Sequence, residues 1–155
     1  IVHRCALFCF CCNAPPTTEI YTLSHTTLFR SVNVVDSSGW LEFFADGPNA
    51  GQFAQPLNDL ERLIVPSISV FEVFRVVCRQ RGEEQALQAA ALMQHGKIIE
   101  LSSSLALYAA KLSIELQLPM ADSIILATAR LNEATLWTQD KDFEGIDGVC
   151  YFLKG

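Results

Sequence analysis

"ATLWTQDKDFEGI", Ala134–Ile146, sets an apolar run directly before two aspartates, Asp140 and Asp142, and an aromatic, Phe143. The run is rich in β-branched and aromatic residues and is short, which fits a buried strand. The acids then fall at the strand's carboxyl tip. In a parallel sheet that tip is where ligands bind. The reading of the fold therefore turns on whether the rest of the chain supplies parallel strands.

Upstream, Val32–Val35 is a second β-branched run and it too stops at an acid, Asp36. "DSSGW" then turns, and Ser37 or Ser38 is expected to cap a helix through Trp40, Leu41, Phe43 and Phe44. Gly47-Pro48 ends it, and a second helical piece spans roughly 49–60. "RLIVP" reads as a strand ended by Pro66. Ser67 is expected to cap a helix over about 68–81, closed by Gly82, and another helix runs over 83–95. "KIIELS" is a strand. "SSLALYAAKLSIELQL" repeats apolar residues at helical spacing (Leu105, Tyr108, Ala109, Leu112, Leu116). Pro119 opens a further helix to Leu131, and "GVCYFL" is the last strand. Strands alternate with helices, so the class is α/β with a parallel sheet covered on both faces.

The chain has 155 residues, enough for one domain with a substantial core, and half of them are hydrophobic. A formal net charge of −6 argues against a broad basic groove for long duplex nucleic acid. No run approaches the roughly 18 apolar residues of a membrane helix. Cys78 and Cys150 each lie within an apolar run and read as free thiols of a reducing compartment, which points to a cytoplasmic protein. The other four cysteines crowd into residues 1–31, which show no amphipathic helix. This segment is expected to be a poorly ordered or non-native extension, with residues 32–155 forming the domain. Its short apolar stretch is broken by cysteines, unlike a typical secretory signal, and its C-x3-C-x-C-C spacing lacks the paired Cys-x-x-Cys of a zinc ribbon.

Four acids stand at positions able to converge. Asp36 and Asp140 end strands, Asp122 lies in the first turn of its helix, and Glu72 lies at the edge of an apolar helical surface. Each has an ordinary structural reading: turn starter, first-turn stabiliser, partner of Arg75, or cap of the "KDFEG" turn. Jointly they would repel and raise one another's pKa, a conflict that a divalent cation removes. Oxygen-only ligands favour Mg2+ or Mn2+ over zinc.

"NVVDSSGWLEFF", "SISVFEVFR", "LPMADSIILATAR" and "LWTQDKDF" resemble, in order and spacing, the four acidic motifs of PIN-domain ribonucleases, and most closely the VapC-like toxins of toxin–antitoxin modules. The resemblance covers about residues 32–152. It implies a three-layer α/β/α PIN-like domain with a short parallel sheet, and Mg2+-dependent endoribonuclease activity that hydrolyses RNA phosphodiesters by metal-activated water. It assigns the metal-binding and catalytic carboxylates to Asp36, Glu72, Asp122 and Asp140. Ser37 or Ser38, Thr138 and Asp142 match supporting positions. It also implies an RNA substrate such as a tRNA or rRNA loop, a cognate antitoxin, and a homodimer. Trp40, Phe43, Phe44 and Phe53 are then either core or a surface for the antitoxin.

Other classes fit less well. A haloacid-dehalogenase-type phosphatase needs Asp-x-Asp where Asp36 is followed by Ser37-Ser38. A response-regulator receiver needs paired acids at the same place. His95 stands at a helix end, so a two-histidine ribonuclease is disfavoured. The remaining alternative is a non-catalytic PIN-fold scaffold that binds RNA or protein. Arg75, Arg79 and Arg81 read equally as contacts to an RNA backbone or as a solvated helix face.

Overall fold

A computed structural model describes residues 32–155. The expectation for residues 1–31 lies outside these described residues. Five strands form one sheet: β1 (Asn33–Val35), β2 (Leu63–Pro66), β3 (Lys97–Ile99), β4 (Thr135–Thr138) and β5 (Val149–Tyr151). Their order is β3-β2-β1-β4-β5, and every pairing is parallel. The chain steps outward from β1 to β3, then returns to β1's other side with β4. The β1/β4 junction is thus the point where strand order reverses, and a crevice opens there at the carboxyl ends.

Side-chain alternation builds the two faces. Val34, Ile64 and Leu136 point to one cluster with α5 (Ser103–Leu116) and α6 (Met120–Leu131). Val35, Leu63 and Val65 point to the other, where α1 (Ser37–Phe44), α2 (Ala50–Asn58), α3 (Ser67–Arg81) and α4 (Glu83–Met93) pack. The result is the expected three-layer α/β/α arrangement with a short parallel sheet. Each strand is only three or four residues long, so its side chains are quickly spent and the following polar residue emerges at the crevice.

Several expectations need correction. Neither Ser37 nor Ser38 caps α1; both lie inside it, and Asp36 is the cap, with its carboxylate accepting from the Ser37 and Ser38 amides. An aspartate is as good a cap as serine and sits one residue earlier. Ser67 likewise starts α3 without capping it, and the extended Pro66 precedes it. The helices are also shorter than their patterns suggested, with α2 ending at Asn58 and α4 at Met93. On α3 the buried stripe is Ser69, Val73 and Val77, while Phe71 points outward at 59 % exposure. Trp40 and Phe53 are core residues, and only Phe43 and Phe44 of that aromatic group stay half-buried.

Gly39 explains how α1 settles so close to the sheet. A Cβ there would stand 2.6 Å from the Phe53 ring and 2.8 Å from Val35 Cγ1. No real side chain fits, so the helix approaches β1 and presents Ser37 and Ser38 to the strand tips. Among the described residues, no single helix is long and apolar enough to cross a membrane.

Candidate active site

Asp36 extends the β1/β4 ladder by one step, its amide donating to the Trp137 carbonyl at 3.0 Å. The residue is 2 % exposed, and its carboxylate accepts four hydrogen bonds with a fifth donor, the Ser37 hydroxyl, close by. Oδ1 takes the Ser37 amide at 2.7 Å and lies 3.2 Å from the Ser37 hydroxyl. Oδ2 takes the Ser38 amide at 3.2 Å, the Ser38 hydroxyl at 2.6 Å and the Thr138 hydroxyl at 3.0 Å. Burial pushes its carboxyl above the usual range, and these donors from Ser38, Thr138 and Ser37 oppose that push.

Proton counting fixes the hydroxyls. Thr138 Oγ1 accepts the Asp140 amide at 2.9 Å, and Ser38 Oγ accepts the Gln139 amide at 3.4 Å. Each oxygen therefore has its lone pair engaged from behind and its one proton free to go forward to Asp36. The 3.3 Å contact between the two hydroxyls is left as a close approach and not a third bond. Two successive amides at the tip of β4 thus orient two hydroxyls on an acid at the tip of β1.

Glu72, on α3, reaches the same edge. Its Oε2 lies 2.8 Å from the Ser37 hydroxyl, shorter than that hydroxyl's 3.2 Å to Asp36, so the proton serves Glu72 first. Burial raises the Glu72 carboxyl, Ser37 draws it back, and the charges of Asp36 and Asp140 push it up against the pull of Arg75. Arg75 nonetheless forms no ion pair with Glu72; its guanidinium lies 5.9 Å from the Phe71 ring centroid.

Asp122 sits in the first turn of α6, half-buried. Burial lifts its carboxyl from 3.8 to about 7, and Asp36, Asp140, Glu72 and Asp142 all add to the rise with no hydrogen bond to offset it. Asp140 is the cap of a short 3-10 turn, Lys141–Phe143, and its Oδ1 accepts the Asp142 amide at 3.0 Å. The Asp142 side chain is exposed and reaches the others through charge alone.

All four acids, with Ser37, Ser38, Thr138 and Asp142, thus come to one edge of the sheet. Among the described residues, no three His, Cys, Asp or Glu side chains stand close enough together to hold a metal ion directly. The donor set is nevertheless all hard oxygen, and beyond burial the neighbouring carboxylates raise both Glu72 and Asp122, a repulsion that a divalent cation would relieve. In kind and in charge the residues fit such an ion.

Sequence reasoning missed a polar network beside the acids. Gln139, 6 % exposed, donates through Nε2 to Glu42 Oε2 at 3.1 Å, and Asn49 joins both. Hydrogen bonds from the Asn49 amide and Gln139 hold the Glu42 carboxyl below its ordinary range. The only sequence signal was the position of Gln139 between two site residues. Next to it opens a cavity of about 480 Å3 between α1, α3 and α4, lined by Ser38, Phe44, Val77, Arg81, Gln88 and Gln139 among others.

A model of the PIN domain family matches residues 34–149. Among solved structures, the chain is similar to a toxin–antitoxin complex from Klebsiella pneumoniae, with 28 % identity over 76 % of this chain and 95 % of that one and a TM-score of 0.65. It is also similar to VapBC2 from Rickettsia felis, bound to a DNA fragment from its promoter, with 19 % identity over 77 % and 96 % of the two chains and a TM-score of 0.61. Mycobacterium tuberculosis VapC20, a sarcin–ricin loop cleaving toxin, shares 17 % identity over 74 % and 94 %, with a TM-score of 0.62. At such identities the last two show a shared fold alone. No curated protein matches the sequence.

Proposed function

The chain belongs to the PIN domain family, and from that premise we propose that it is a Mg2+-dependent endoribonuclease, the toxin of a toxin–antitoxin module. The observation that carries the reading is the placing of Asp36, Glu72, Asp122 and Asp140 at one sheet edge, with the carboxyls of Glu72 and Asp122 raised by burial and, after it, by their neighbours' charge. The likeness to the Klebsiella complex supports the toxin assignment.

A divalent cation, Mg2+ or Mn2+, supplies Lewis acidity toward phosphoryl oxygens and makes water a better nucleophile. The four carboxylates would hold it. Ser37, Ser38 and Thr138 keep the Asp36 oxygens in one orientation, so little reorganisation is needed when the substrate arrives. Water would attack phosphorus, the ester bond to the leaving ribose oxygen would break, and that oxygen would take a proton from solvent. One carboxylate takes the proton that the water gives up. Asp142 adds negative charge at the rim.

The proposed partner is a cognate antitoxin, seated in the cavity beside Ser38 and Gln139, where the half-buried Phe44 offers apolar contact. We further assign a homodimer, supported by Leu107 and Ile114, 75 % and 82 % exposed on one face of α5. A structured RNA loop as substrate and a cytoplasmic location complete the reading. Incubation of the protein with a mixed RNA pool tests it. Cleavage should require Mg2+ or Mn2+ and vanish in EDTA and in Asp36→Asn. Intact RNA at millimolar Mg2+ would leave the non-catalytic scaffold in its place.

A further inference from the structure

Beside the acids, three polar side chains form a chain of fixed polarity. The Leu153 carbonyl can only accept, so the Asn49 amide nitrogen must face it, at 2.9 Å. The same nitrogen donates to Gln139 Oε1 at 3.1 Å. That turns Gln139 Nε2 toward Glu42 Oε2, at 3.1 Å, and the Ser38 carbonyl, at 3.4 Å. Glu42 closes the loop by accepting the Asn49 backbone amide on Oε1 at 2.9 Å. Each contact in this chain pairs a donor with an acceptor, and reversing either amide would set like against like. Glu42 lies against Gly47, where a Cβ would collide with its carboxylate. The space for this carboxylate is therefore built into the turn after α1.

We propose that Glu42, Gln139 and Asn49 are positioning residues of the carboxylate site. They act through Ser38 and through the backbone of the β4 tip. Gln139 lies between Thr138 and Asp140. Its amide sets the Ser38 hydroxyl, which donates to Asp36 Oδ2 at 2.6 Å. With its side chain clamped on both sides, the peptide units that aim Ser38 and Thr138 at Asp36 cannot rotate. The same clamp fixes where Asp140 leaves the strand. The network thus sets the relation between two of the four acids without touching substrate or cation. Groups behind a ligand shell act in this way, and their loss commonly weakens metal binding by roughly 10–100-fold.

This inference rests on the reading of Asp36 and Asp140 as cation ligands, and the test separates the two. Mn2+ binding to the full chain, free of RNA, is measured by calorimetry or by the spin-resonance signal of the free ion, alongside melting temperature. Glu42→Gln and Gln139→Glu, each of which breaks the polarity of the chain, are expected to bind Mn2+ about 10-fold more weakly. The double exchange, Glu42→Gln with Gln139→Glu, restores a donor facing an acceptor and should recover part of the lost affinity. A merely structural role would lower the melting temperature and leave Mn2+ affinity unchanged. Wild-type-like binding in both single variants, or a double variant no better than the worse single one, overturns the positioning role. Failure of the wild-type chain itself to bind Mn2+, with Asp36→Asn no different, overturns the cation site and the positioning role with it.

Discussion

Thr138 donates its hydroxyl proton to Asp36 Oδ2 at 3.0 Å while accepting the Asp140 amide at 2.9 Å. One fully buried side chain thereby ties the tip of β1 to the tip of β4, with an acid on each side. Replacing it tests both bonds at once. Thr138→Val keeps the shape but leaves a buried carboxylate short of a donor and an amide without an acceptor, and should destabilise the fold by about 1–3 kcal/mol. Thr138→Ser keeps the hydroxyl and should lose much less. Urea unfolding of the two variants checks this; equal losses would mean that the methyl packing matters and the hydroxyl does not.

Asp122 gives a pH dependence of definite sign. Its carboxyl moves from an ordinary 3.8 to about 7 in the fold. Between those values the native state holds a proton that the unfolded chain has lost. The metal-free protein should therefore lose stability as pH rises from about 4 to 7, and stay at the lower level above that. Asp36 and Glu72, also raised, push in the same direction. Asp122→Asn removes its share, so in EDTA the variant should melt above wild type at pH 8 and match it near pH 4. It should also lose Mg2+-dependent cleavage. A variant that melts below wild type at pH 8 would show that burial and neighbouring charge do not burden this side chain.

Much of this site was legible in the sequence because of where apolar runs stop. "NVV" and "TLWT" are spent in three and four residues, so Asp36 and Asp140 had to emerge close to strand ends. The alternation of elements then placed those ends on one edge. Capping was not legible, since Asp36, Ser37 and Ser38 all suit an N-cap and only the register of α1 chooses among them. The aromatic group Trp40, Phe43, Phe44 and Phe53 was equally open. Gly39 decides it by letting α1 close on Phe53, a contact set by tertiary approach and not by local pattern. Glu42 and Asn49 flank the turn after α1, but Gln139 lies 90 residues beyond Asn49, and no spacing rule joins it to them.

Residues 32–155 are expected to fold without the preceding segment. The five described strands pair into one sheet within them, and the family match spans residues 34–149. A chain beginning at Ser31 should melt within a few degrees of the full-length protein and cleave RNA as well. A large drop in melting temperature would assign residues 1–31 a part in the fold.

Asp140 carries two roles that can be pulled apart. Its Oδ1 accepts the Asp142 amide at 3.0 Å and so caps the turn that follows β4, while its charge adds to the rise of Glu72 and Asp122. Asp140→Asn keeps an oxygen for the cap and removes the charge, so in EDTA it should melt at or above wild type. Asp140→Ala removes both, and the lost cap should cost it about 0.5–2 kcal/mol relative to the asparagine variant. Mg2+ should then reverse the order. A cation that binds the native state stabilises it by RT ln(1 + [L]/Kd), and both variants bind more weakly than wild type. Melting curves of the three proteins in EDTA and in millimolar Mg2+ decide the matter. If both variants melt below wild type in EDTA and all three gain equally from Mg2+, Asp140 is a turn residue alone and the cation rests on the other acids.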